Sequence, residues 1–419
     1  MFRINLFLKF KIFLRAFFLQ KDLKFCSTVI SKELSNQSKK KKIILTNSCR
    51  VGFLYLLKYL KLKFKNKNEI IFVSYNLAEM INVAKNLNFK VKFTDLDYED
   101  GNINIKKINS LINKSTSALV LTNMFNDYSI SLKIKKFCKK KNIKLIEDNA
   151  IYFDNYTKIK NKKIFSGQIG DYTLYSFNIM KHISAFFGGA VATNDDKFFD
   201  FFLKESKKMK LFFKLKLLKQ VIIFLILKMM SIKILYKILF IHLIKIAHIC
   251  NIKIILELFY PSLKFKKYPF NSSYFTSISN LTIKTAYLQI IDRKQRNFYF
   301  NERKKKNIYY QKKLIKLNEK NIKLFKLKDF NYQNLIDYPI LVKNKRKLNS
   351  YLLRRGFEIR YIYYKNCEAI FRKQKSNSKN SEIFEKKLIC LPNHAKIDYS
   401  YIDQLIENIS SFYKFNTQS

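Results

Sequence analysis

The chain has 419 residues, 48% of them hydrophobic, and a formal net charge of +52. That apolar content excludes a disordered polycation and is enough for one large domain plus a smaller one. The excess of Lys runs along the whole chain rather than in one stripe, and no helix-turn-helix, RNA-recognition or zinc-finger pattern occurs, so a nucleic-acid partner is not expected. The six cysteines have no CxxC pairing and the four histidines are scattered, which argues against a disulfide framework or a metal site and for a reducing cytoplasm.

Residues 1–34 open with MFRINLFLKFKIFLRAFFLQ, where Arg3, Lys9, Lys11 and Arg15 interrupt an apolar run. The pattern predicts a basic amphipathic helix rather than a secretory signal, one that either caps the body or lies on a membrane surface. From about 41 to 205, short β-rich runs alternate with helical stretches. The expected strands are 42–47, 69–75, 90–97, 117–123, 143–149, 171–177 and 189–195, with helices at 51–63, 77–87 and 130–141. Such alternation predicts an α/β domain with a mainly parallel sheet flanked by helices, and ligands gather where such strands end.

Residues 206–262 form an apolar, lysine-rich helical insertion. Its longest charge-free run, Val221 to Leu227, is far short of the ~18–20 residues that span a bilayer. Along 229–248, Lys233, Lys237, Lys245 and His248 fall on one third of the helical circumference, a face equally suited to membrane contact and to protein packing. The remainder, 263–419, begins with helices. It continues with strand-like 337–344, helical 345–356, strand-like 357–364 and a closing helix near 398–413, together a small C-terminal α/β lobe.

Three separated motifs carry chemistry only when taken together. IEDN puts Glu147 and Asp148 at the end of a strand, where an isolated Asp is more often a cap than a ligand. SFNIMK puts Ser176 five residues before Lys181, and TNSCRVG (46–52) is a small-residue turn entering a helix, a place suited to phosphate. A lysine able to form a Schiff base, an Asp for a pyridinium nitrogen and a phosphate-binding helix start are the needs of pyridoxal phosphate.

The order, spacing and flanking residues resemble the DegT-type nucleotide-sugar aminotransferases, pyridoxal-phosphate enzymes of fold type I. EDNA (147–150), GDYTLYSFNIMK (170–181), GGAVATND (188–195) and NSCRVGFLYLL (47–57) carry the likeness, joined by SNLTIKTAYLQI (279–290), 338–360 and CLPNHAKI (390–397). The resemblance covers about 40–200 and 275–415. It implies a Schiff-base lysine at Lys181, a pyridinium partner at Asp148, and phosphate ligands at Ser176 and the Ser48–Cys49–Arg50 turn. It also implies a homodimer and amino transfer, from a donor such as glutamate, to a nucleotide-linked keto-sugar for polysaccharide or glycan synthesis. The retained lysine disfavours the branch in which histidine replaces it. Two positions depart from the pattern: Ile151 stands where Gln or His is usual, and Leu77 where an aromatic ring is usual. Tyr75 is the nearby ring, with cofactor contact and strand packing equally open. These departures keep one alternative: a degenerate, non-catalytic, membrane-associated binding protein.

Overall fold

The computed structural model describes residues 3, 6–124, 128–159, 161–259, 269–270, 272–317, 320–326, 335–372 and 376–416. The expected helices just after 260 therefore lie partly outside the described residues. Two helices, α1 (Phe10–Phe18) and α2 (Leu23–Ser38), precede the first strand. The large domain then runs β1 (Lys42–Thr46), α3 (Cys49–Lys63), β2 (Glu69–Val73), the two-residue β3 (Tyr75–Asn76), α4 (Ala78–Asn86) and β4 (Lys90–Thr94). It continues through α5 (Ile105–Leu111), β5 (Thr116–Thr122), α6 (Tyr128–Lys140), β6 (Lys144–Asp148) and a hairpin of β7 (Tyr156–Ile159) and β8 (Lys162–Phe165). β9 (Tyr172–Ser176), β10 (Gly189–Thr193) and α7 (Asp196–Ser206) complete it.

The central sheet has the order β1-β10-β9-β6-β5-β2-β4. Its neighbours are parallel except that β10 is antiparallel to both β1 and β9. All seven strands expected from the sequence are in it. The inner strands alternate their side chains between two apolar layers, as a sheet covered on both faces requires, while edge strand β4 gives only Val91 and Phe93 to one of them. In β2, Ile70 and Phe72 enter the layer under α3 and α4, while Ile71 and Val73 enter the layer on the other face. Each is fully buried, and such burial contributes about 1.5–3 kcal/mol per side chain.

The N-terminal segment caps the body. Asp22 accepts the Phe25 N–H at 3.0 Å to start α2, which packs on helix Asn280–Ile291. Arg3 Nε lies 3.3 Å from Glu358 Oε1, a buried ion pair joining the chain start to the small lobe. In the insertion, α8 (Lys214–Met230) buries Phe224, Leu227 and Met230, and the Phe224 ring meets Phe13 of α1 at 5.0 Å. Helical turns continue from Lys233 to Ile249 and again over Lys253–Phe259. Among the described residues, no helix is long and apolar enough to cross a membrane.

Helix Arg293–Leu317 leads to the small lobe, a three-stranded antiparallel sheet of β11 (Ile322–Leu324), β12 (Asp337–Val342) and β14 (Leu388–Pro392). Residues 357–364 are not the strand their pattern predicts. They touch β14 through one bridge, Arg360 to Cys390, and only then does β13 (Lys365–Asn366) pair with β3. Tyr363 and Tyr364 turn inward against the layer that holds Tyr75, so side-chain packing replaces the ladder.

Candidate active site

Glu147 and Asp148 are neighbours on β6 with opposite surroundings, because successive strand side chains face opposite ways. Glu147 is wholly buried and accepts from the backbone N–H groups of Gly167 (2.7 Å), Ile169 (3.0 Å) and Gly170 (2.9 Å), and from Asn123 Nδ2 (3.0 Å). It staples the 167–170 loop to the sheet. The buried ammonium of Lys40 lies near it and donates to the Gly167 carbonyl at 2.7 Å. Asp148 accepts the Ala150 N–H on Oδ1 at 3.1 Å, and among the described residues its Oδ2 accepts nothing. Burial raises its pKa; the Ala150 hydrogen bond and the nearby Lys181 ammonium offset part of that.

Lys181 stands in the loop between β9 and β10. The loop is held by Phe177 N–H to Gly188 carbonyl (2.9 Å), Ala185 N–H to Phe177 carbonyl (2.7 Å) and Lys181 N–H to Asn178 carbonyl (2.9 Å). Burial lowers the Lys181 pKa to about 8; Asp148 opposes the shift, while Arg360 and Arg50 add to it. The next residue, His182, is buried, accepts the Phe153 N–H on Nδ1 at 3.1 Å, and is pushed by burial well below the usual histidine range. It is part of the loop's packing rather than a second base.

The phosphate-suited turn lies beside this pair. Ser48 caps α3, taking the Val51 N–H on Oγ at 3.3 Å, while its carbonyl takes Val51 and Gly52 at 3.0 and 3.1 Å. The amides of Cys49 and Arg50 are left at the positive end of a 15-residue helix. Ser48 bridges to Gly188, and Gly189 is the register partner of Ser176 on β9. A Cβ on Gly189 would stand 2.4 Å from Cys49 N and 2.7 Å from the Tyr175 carbonyl, so only glycine lets the strand and the helix start approach this closely. Ser176, Gly189 and Cys49 are thus abreast. The Cys49 thiol is pushed far up by burial and by Asp148, so it is no nucleophile. Arg50 is partly exposed, 3.9 Å from Glu79.

Of the sequence-predicted residues, Lys181, Asp148, Cys49 and Arg50 are electrostatically in one cluster, with Ser48 and Ser176 at its edge. Tyr75 is turned toward the small lobe: its hydroxyl accepts the Tyr364 N–H at 3.2 Å, and its ring meets Tyr364 and Phe384 at 5.9 and 5.8 Å. Leu77 precedes α4 and Ile151 sits in the turn after β6; neither offers a side-chain polar atom. Sequence reasoning missed Arg360 as a site residue. It reaches the cluster from the small lobe, 3.0 Å from Asp337, with backbone hydrogen bonds of 3.0 and 2.8 Å to Cys390. Tyr364 likewise comes near Asp148. No local pattern marks either residue, since each acts from about 200 residues away.

Lys181 lies by one buried carboxylate with an unfilled acceptor, and Arg50 and Arg360 are near enough to act on Lys181, next to a helix start and a glycine cradle. The set fits a compound with an anionic tail, a basic ring nitrogen and an aldehyde, which is the description of pyridoxal phosphate. Among the described residues, no cluster of His, Cys, Asp and Glu suits a metal ion.

Residues 28–204 match the model of the DegT/DnrJ/EryC1/StrS aminotransferase family. An uncharacterised protein of Methanocaldococcus jannaschii is 32% identical over 154 residues, 37% of this chain and 38% of that one. The UDP-4-amino-4,6-dideoxy-N-acetyl-beta-L-altrosamine transaminase of Helicobacter pylori is 27% identical over 172 residues, 41% of this chain and 43% of that one. The matched stretch therefore spans well under half of these relatives. In three dimensions the likeness extends much further. A Helicobacter pylori aminotransferase of pseudoaminic acid biosynthesis superposes with TM-score 0.66 at 19% identity, over 97% of this chain and 96% of the other. A sugar aminotransferase of Micromonospora echinospora superposes with TM-score 0.70 at 11% identity, over 96% and 97%. The fold is that of the type I pyridoxal-phosphate sugar aminotransferases.

Proposed function

With residues 28–204 carrying the DegT/DnrJ/EryC1/StrS family match, we propose that this chain is a pyridoxal-phosphate-dependent aminotransferase acting on a nucleotide-linked keto-sugar. The observation that carries the reading is the Lys181–Asp148 pair beside the Ser176–Gly189–Cys49 cradle. Pyridoxal phosphate, when bound, supplies an electron-accepting ring that weakens the C–H bond next to an amine. Ser176, Ser48 and the Cys49 and Arg50 amides are the groups that would hold its phosphate. Asp148 would keep a proton on the ring nitrogen through Oδ2. Lys181 has the chemistry for the aldehyde and for proton transfer at its Nζ: with a pKa of about 8, about one molecule in ten is neutral at pH 7, against well under one in a thousand for an ordinary lysine. Arg360 and Arg50 bias the pocket toward anionic substrates, such as a carboxylate donor like glutamate and a nucleotide diphosphate. In this reading the enzyme works in the cytoplasm as a homodimer and feeds polysaccharide or glycan synthesis.

The test is to add pyridoxal phosphate to the purified chain, record the visible absorbance of the adduct, and locate it by borohydride reduction and peptide mass. A Lys181-borne adduct, absent in Lys181→Ala, is expected. Amino transfer from glutamate to UDP-, GDP- and dTDP-linked keto-sugars is then read by mass spectrometry. No lysine-dependent adduct would leave the non-catalytic alternative standing.

A further inference from the structure

The insertion and α1 bare a second surface that nothing covers among the described residues and that the site chemistry does not use. On α8, Leu215, Leu218, Ile222, Leu225 and Met229 are all exposed, Leu215 to 82%. Their spacing of three, four, three and four residues puts them on one face. That face is opposite to the one holding Phe224, Leu227 and Met230 in the core. At about 100° per residue, exposed Lys214 and Lys219 project on either side of the apolar stripe.

The next helical stretch repeats the arrangement. Ile238 (72% exposed), Leu239, Leu243 and Ile246 face out while Ile241, Ile244 and Ala247 are buried. α1, which touches α8 through Phe13 and Phe224, exposes Phe10, Leu14 and Phe17 and also Lys11 and Arg15. Each of these three elements thus bares several large apolar side chains to the outside, which soluble monomers rarely do to this extent.

Charge decides what covers it. No Asp or Glu lies between Glu205 and Glu257 or before Asp22, whereas residues 206–256 contain eleven lysines. Stacking two copies of this face would oppose lysine to lysine with no carboxylate to pair, which disfavours self-association there. A surface with apolar depth and negative headgroups answers both properties. No described helix can cross a bilayer, so the contact must lie in the interface plane.

We propose that α1, α8 and the 232–249 stretch form one docking face for an anionic lipid bilayer, with the leucine–isoleucine stripes entering the acyl boundary and the flanking lysines meeting the headgroups. This is independent of the reading of the active site. The face nevertheless backs directly onto the Lys181 loop, since Phe186 packs on Phe13 and Phe224 at 5.6 Å each. Docking would place the Lys181 loop directly behind the membrane-facing layer.

A chain of charge +52 binds anionic vesicles through any face, so the test must separate insertion from general attraction. The full chain is sedimented with phosphatidylcholine–phosphatidylglycerol vesicles and with pure phosphatidylcholine vesicles at physiological salt. Three proteins are compared: the parent, the charge-neutral variant Leu215→Asn/Leu218→Asn/Ile222→Asn, and the control Leu62→Asn/Ile315→Asn, which alters exposed apolar residues elsewhere. Binding of the parent to the anionic vesicles, reduced at least about tenfold in the triple variant and unchanged in the control, is expected. Circular dichroism melts check that all three fold alike. Absent binding by the parent, or equal binding by parent and triple variant, overturns the proposal. So does a triple variant whose only change is dissociation of a dimer in light scattering, which would make the face a self-association surface.

Discussion

Glu147→Gln and Asp148→Asn are the same chemical change one residue apart, and the structure makes opposite predictions for them. In Glu147, Oε1 takes Gly167 N–H and Asn123 Nδ2, and Oε2 takes the Ile169 and Gly170 N–H groups. A carboxamide can keep one oxygen; either orientation turns its NH₂ toward two donors. Two buried donors are thereby left without an acceptor, at about 1–3 kcal/mol each, and Lys40 loses its counter-charge. The expected loss is about 3–5 kcal/mol. Asp148 has one hydrogen bond, which Asn keeps, and its pKa is raised by burial. The ionised carboxylate is thus a cost to the fold at neutral pH, while its loss leaves the buried Lys181 ammonium without the charge that opposes its lowered pKa; the two effects offset, so Asp148→Asn should leave stability within about 1 kcal/mol of the parent. On the proposed function it should nevertheless abolish most amino transfer, since the proposed acceptor for the ring nitrogen would be gone. Urea unfolding of the three proteins without cofactor, followed by tyrosine fluorescence and far-ultraviolet dichroism, measures the difference. Equal costs for the two variants, or a Glu147→Gln cost below about 1 kcal/mol, would refute the assignment of one carboxylate to the scaffold and the other to the chemistry.

Lys181 has a folded pKa of about 8 against 10.5 for an ordinary lysine, so its charge is held at a cost at every pH below 8. Between those values the unfolded chain binds more protons and stability rises with pH. Lys181→Met should therefore be more stable than the parent at neutral pH, by a margin that shrinks from pH 8 to 10 in parallel denaturant titrations; a constant margin would contradict the lowered pKa. Gly189→Ala should cost about 1–3 kcal/mol and weaken pyridoxal phosphate binding at least about tenfold, because strand and helix start must separate. Melts with and without the cofactor report both effects. Arg360→Gln should raise the pKa of Lys181, read as a slower reaction of its amine with a pyridoxal phosphate probe at neutral pH. Arg360→Lys, which keeps the positive charge, should restore the parental rate.

The seven main strands and the order Asp148, Ser176, Lys181 are legible along the chain because they rest on local facts: short apolar runs, turn residues and motif spacing. The small-residue turn at 46–52 is legible for the same reason as the start of α3, since a helix start carries its own amides. What the string of residues does not hold is the division of labour between Glu147 and Asp148. Both are carboxylates in one motif, and only the loop at 167–170 folding back onto the sheet makes one of them an anchor. Residues 357–364 alternate like a strand, yet the inward turn of Tyr363 and Tyr364 removes them from the ladder and brings Arg360 to the cluster. The insertion shows the same limit most plainly. Amphipathic spacing predicts its helices, but which apolar face is buried and which is bare depends on where Phe13, Phe186 and Phe224 meet. Local sequence sets which chemistry is available; contacts between residues far apart in the chain decide which groups face a ligand, a core or the outside, because burial and charge coupling act through space.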